Sequence, residues 1–152
     1  MTPWEAITAG VALALGGDRE AGGRSLIDCW NDSVEVDFAQ RCVIAHYLAD
    51  LQPDLGDEVL WDERALVAYQ HVADDDLAPI GIDTASGLAP SLHLNLGDGY
   101  LRQGRLEDAK RQLDAGLAAR DALPDDGYGA LVRKGLAGLA QRIVANEAQA
   151  SP

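Results

Sequence analysis

Three side chains able to do chemistry stand four residues apart: Cys42, His46 and Asp50. On a helix, positions i, i+4 and i+8 fall along one face. A thiol beside an imidazole that is itself oriented by a carboxylate is the arrangement of an activated nucleophile, with His46 as the base. The same residues could open a zinc site, but zinc takes three or four Cys, His or carboxylate ligands. With three His and two Cys in the whole chain, no second cluster exists to complete one. The favoured reading is a polar helix face carrying a small buried thiol, with no catalytic residue, metal or cofactor. Phosphate-cradling glycine loops, a GxSxG elbow and an HExxH pair are all absent. The aspartates at 74–76 and 83 lack the spacing of an EF-hand loop and read as a solvated acidic turn.

The elements that must position these residues read as helices. The chain has 152 residues, 47% of them hydrophobic, with abundant Ala and Leu and a single Phe, a composition that favours helix over sheet. Arg far outnumbers Lys, which points to a high-GC bacterial genome. The first helix is expected over 3–15, with Thr2 as cap and Pro3 in the first turn. Gly16, Gly17 and Asp18 stop it and start a second over 19–31, carrying Gly22, Leu26, Cys29 and Trp30 inward. A third covers 37–51, with Phe38, Ile44, Tyr47, Leu48 and Leu51 as apolar contributors. A fourth covers 57–73, with Trp61, Ala65, Ala68 and Val72 at helical spacing. Asp74, Asp75 and Asp76 meet the negative end of its dipole and should end it. Residues 74–90 have two prolines, two glycines and no clear period. The fifth and sixth helices lie within 91–122, and a seventh runs over 128–146 with Leu131, Leu136, Leu139 and Ile143 on one side.

Within 91–122 the chain reads Leu96-Gly97-x-x-Tyr100, then Gly104, then Ala109-x-x-x-Leu113. Leu96 and Tyr100 share a helix face, Gly97 admits a close neighbour, and Gly104 can take the left-handed conformation that ends a helix. This spacing resembles the tetratricopeptide repeat, with His93 where that pattern has Trp, Leu113 where it has Phe and Asp121 where it has Pro. The small-to-large pair sixteen residues apart, Gly97 and Leu113, recurs as Gly10 and Leu26 and as Ala45 and Trp61. The resemblance implies an all-α protein of about seven helices, like the small bacterial proteins of this family. Three antiparallel hairpins, about 3–33, 37–73 and 90–122, would form a right-handed stack, with residues 74–89 as an insertion. Helix 128–146 would cap the last exposed face, giving a single domain over 1–147 and a frayed tail at 148–152.

In such stacks the first helix of each hairpin lines a concave groove, so the resemblance implies a set of ligand contacts. The first hairpin offers an apolar end, Trp4, Ile7, Val11 and Leu15. The groove proper is expected from His46 and Asp50 on the second, and Asn95, Asp98, Leu101 and Arg102 on the third. Leu94 also falls on that face. Asp50 and Asp98 would attract a cationic peptide. His93, at the packing position, reads as a satisfied core histidine, and His71 as a surface residue near a helix end.

Charge points the same way. The net charge is −13, and residues 1–101 hold 18 acids and 4 bases against 7 acids and 8 bases in 102–152. So acidic a chain excludes a nucleic-acid duplex, whose phosphates need clustered Lys and Arg. Unpaired cysteines suit a reducing cytoplasm. The apolar run 7–15 is too short to span a bilayer, and with Glu5 rather than a cation before it, it is no signal peptide. The expectation is a cytoplasmic, non-enzymatic protein- or peptide-binding module, monomeric or homodimeric, with an acidic groove for a basic segment and no membrane partner. The alternative is a regulatory accessory protein acting on a partner through the 74–90 insertion.

Overall fold

The computed structural model describes residues 1–150, Ala150 by its backbone alone. Seven α-helices and three short 3-10 turns make up its regular structure, with no strand among the described residues. None of these helices is long and apolar enough to cross a membrane. The helices gather into two compact units, Met1–Ala85 and Ser86–Pro152.

The N-terminal unit holds two antiparallel hairpins. Helix α1 (Pro3–Leu15) starts in a reciprocal cap: the Glu5 amide donates to Thr2 Oγ1 at 3.2 Å and the Thr2 amide donates to Glu5 Oε2 at 2.6 Å. The chain turns at Gly17, whose φ of 103° suits glycine. Asp18 then caps α2 (Arg19–Asp32) by accepting from the Ala21 amide. Gly22 sets how closely α1 and α2 approach, because a Cβ there would lie 2.6 Å from the Ala14 nitrogen. Gly10 faces Leu26, the first of the expected small-to-large pairs.

Helix α3 (Phe38–Asp50) packs on α1, α2 and α4. Cys42, Val43, Ile44, Ala45, Leu48 and Ala49 are all buried, so it is covered on nearly every side rather than along one stripe. Helix α4 (Leu55–Tyr69) is capped by Asp54 and buries Val59, Trp61, Ala65 and Ala68. It ends four residues short of the expected 73, and turn-type bonds from the His71 and Val72 amides close it before the three aspartates. Residues 74–85 form a closed loop: the Ala85 amide donates to the Asp74 carbonyl at 3.0 Å, and Tyr69 Oη donates to the Ala85 carbonyl at 2.9 Å. Leu77 is fully buried beneath it, and Gly81 turns the chain at φ 80°.

The C-terminal unit is a hairpin, α5 (Ala89–Arg102) and α6 (Leu106–Ala118), packed against α7 (Gly127–Ala150). Helix α7 buries Val132, Leu136, Leu139 and Ile143. It sits close because small residues receive it, Leu139 lying against Gly97 and Leu136 against Gly116. Residues 148–150, expected as frayed tail, continue α7, and 151–152 lie outside the described residues.

Candidate functional site

The six expected groove residues divide between the units, His46 and Asp50 on α3, Asn95, Asp98, Leu101 and Arg102 on α5. Leu101 is buried at 8% exposure. Asp98 does not offer an uncompensated charge: Arg102 Nε donates to its Oδ2 at 2.9 Å, and Arg142 from α7 donates to its Oδ1 at 2.6 Å. Helix α7 supplies part of the Asp98 pairing. Its Gly135 receives Leu94 and its Arg142 takes Asp98, so α7 packs along the α5 face expected to line a groove. Asn95 is half-buried and Arg102 exposed. His93 is satisfied, its Nδ1 lying 2.8 Å from Gln112 Oε1.

On α3 the cysteine–histidine–carboxylate line shares a helix without acting together. Burial pushes the Cys42 thiol up to about 12, the opposite of what a nucleophile needs. Burial also lowers the basicity of His46, while the Asp50 charge pulls the other way. His46 Nδ1 is shielded from solvent with no hydrogen-bond partner, so no relay joins the three. The Asp50 side chain is exposed, and its carbonyl accepts from Arg19 at 2.6 Å. Among the described residues no group of three or more His, Cys, Asp or Glu could hold a metal ion.

Two cavities lie instead at one end of the N-terminal unit, and Trp4 borders both. The larger, about 670 Å³ and open to solvent, runs along α1 past Trp4, Thr8, Ala9 and Ala12 to Pro79 of the closed loop. The smaller, about 250 Å³, lies where the first turns of α1 and α3 meet the residues after α4. Its wall includes Trp4, Phe38 and His71 together with Asp37 and Asp76. The Phe38 and His71 rings stack at 4.4 Å and 26°. Asp37 Oδ2 accepts from the Val34 amide and Asp76 Oδ2 from the Ala73 amide, each at 2.8 Å, which fixes where the two carboxylates stand. Neither forms an ion pair with a side-chain cation among the described residues.

Helical spacing missed this constellation because its members come from three element ends, where no periodicity applies. One signal was present: the chain's single Phe directly follows an Asp at a helix start.

The charge is also divided. The N-terminal unit has 17 acids and 4 bases, hence −13, and the C-terminal unit 8 of each, hence zero. All four arginines of the acidic unit are engaged within it. Arg19 holds the Asp50 carbonyl and Arg24 pairs with Glu20. Arg41 bonds Ser33 and lies 4.5 Å over Trp30, while Arg64 lies 4.5 Å over Trp61. Of its acids, all but Asp37, Glu58, Asp62 and Glu63 are exposed.

No family model, no curated protein and no solved structure matches the chain.

Proposed function

We propose that the protein is a non-enzymatic helical binding module that takes a basic segment of a partner protein on its N-terminal unit. The charge division carries this reading: the full −13 sits on one unit whose arginines are all engaged internally. A surface so charged steers cationic partners toward it and repels acidic ones. The repeat-like spacing of residues 96–113 and the paired hairpins agree with an interaction role, and two unpaired cysteines agree with a cytoplasmic one. The depressed reactivity implied for Cys42 speaks against thiol catalysis. The test is fluorescence anisotropy with a labelled lysine- and arginine-rich nonapeptide and its glutamate-substituted counterpart. The basic peptide should bind, the acidic one should not. Affinity should fall as the Debye length shrinks from ~30 Å at ~0.01 M salt to ~10 Å at ~0.1 M. Binding indifferent to peptide charge and to salt overturns the proposal.

The accessory reading is favoured by one observation: the 74–85 loop contributes Asp76 and Pro79, one to each cavity. Replacing residues 78–83 with a Gly-Ser segment of equal length, keeping the buried Leu77 and Ala85, separates the two. Unchanged peptide affinity supports the charged surface as the main contact; lost affinity assigns recognition to the loop.

A further inference from the structure

The smaller cavity of the N-terminal unit combines features that a charged surface alone does not have. Its volume of about 250 Å³ lies below the ~300 Å³ at which small-molecule pockets begin, leaving room for one side chain and not a cofactor. Trp4, Phe38 and His71 are among its lining residues, the last two with their rings stacked on each other. An aromatic face attracts a cation through its quadrupole, here at an opening that solvent reaches. Asp37 and Asp76 add two carboxylates that backbone amides already hold in place, so little ordering remains to be done on binding. Rings and carboxylates at one small opening suit a planar cation that can stack and hydrogen-bond at once. That describes guanidinium better than ammonium, which is a compact and strongly hydrated point charge.

We propose that the Trp4–Phe38–His71 cavity, with Asp37 and Asp76, seats an arginine side chain of the partner's basic segment. This rests on the basic-partner reading and adds to it the residue type recognised and the place where it docks. The larger apolar groove, which also has Trp4 in its lining, takes the neighbouring apolar residues of the same segment.

The experiment uses the full chain labelled with 15N and follows its three tryptophan indole N–H signals, those of Trp4, Trp30 and Trp61. N-acetyl-arginine amide should move the Trp4 signal and leave the other two in place. N-acetyl-citrulline amide, the same shape without charge, should move none, and N-acetyl-lysine amide should bind more weakly. The double variant Asp37→Asn, Asp76→Asn keeps the oxygen atoms that accept from Val34 and Ala73, so its fold is retained. It should weaken arginine binding about tenfold. Equal shifts with citrulline, equal affinity for lysine, or a double variant that binds as tightly as the parent would each overturn the assignment. Two further outcomes separate it from the broader reading. If the basic nonapeptide binds while N-acetyl-arginine amide leaves Trp4 unmoved, the cavity assignment falls and the charged-surface reading stands. If the amino-acid derivative moves Trp4 but the nonapeptide does not bind, the partner reading falls and the cavity is left as a small-cation site.

Discussion

The two cysteines differ in how deeply the fold holds them, and that difference is measurable. Cys42 is fully buried and its thiol is pushed up to about 12, whereas Cys29 is half-buried and raised by burial together with the Asp32 and Asp28 charges. At pH 8 a disulfide reagent should therefore label Cys29 first, with Cys42 reacting only on the timescale of unfolding. Equal rates would contradict this placement. His46 gives a second test at the same scale. Burial lowers its folded pKa below the ordinary 6.5, so the unfolded chain binds the proton more readily than the folded one. The stability tied to neutral His46 is complete above 6.5 and is lost as pH falls through the lowered folded value. Urea midpoints of the parent chain should accordingly drop between pH 7 and 5 more than those of His46→Leu; parallel curves would rule the effect out. The i, i+4, i+8 spacing was enough to put Cys42, His46 and Asp50 on one helix, but not to tell which of them water reaches. That depends on α1, α2 and α4 closing around α3, and no local pattern in 38–50 records it.

Helix starts were legible because caps are local: Thr2 before Pro3 and Asp18 after Gly17 each place a start from a few adjacent residues. The α5 face was not, since a leucine at 94 looks the same whether it lines a groove or meets a seventh helix. Two predictions test the contacts between elements. Gly22→Ala would set a methyl against the Ala14 backbone, which cannot yield as a side-chain tip can, and should cost ~1–3 kcal/mol in urea unfolding. A neutral result would mean that α1 and α2 have freedom to separate. Asp98 and Arg142 join α5 to α7, with side chains 29% and 49% exposed. Solvent screens such a pair, so a double-mutant cycle of Asp98→Asn with Arg142→Gln should return a coupling of only ~0.5–1 kcal/mol. The coupling should shrink in salt, and a value near zero would remove this link from the account of α7.

At the scale of the whole molecule, one unit carries all the net charge and the other none. The total of −13 and its confinement to the first part of the chain were both visible in the sequence, and the division within the turn Ala85–Leu88 assigns all of it to Met1–Ala85. A cut near residue 91 gives the same −13 and zero, and one at 101 gives −14 and +1, because 86–91 carry no charge and only Asp98 changes sides. Like charges held together in a folded unit repel, and unfolding relieves the repulsion by spreading them apart. Salt screens exposed charges at a separation beyond ~10 Å at 0.1 M, so it should stabilise the acidic unit and leave the neutral one nearly unchanged. Amide exchange resolves the two without cutting the chain. Raising NaCl from ~0.02 to ~0.3 M should slow exchange in the cores of α1–α4 several-fold, while α5–α7 change by less than about twofold. The arginine and tryptophan cluster of the acidic unit sharpens the expectation. Arg41 and Arg64 are stacked on Trp30 and Trp61, so part of the unit's positive charge is held at the aromatic rings rather than spread among the carboxylates. Equal slowing in both units would mean that salt acts through general burial rather than charge. In that case the acidic surface would also lose its standing as the feature that selects a basic partner.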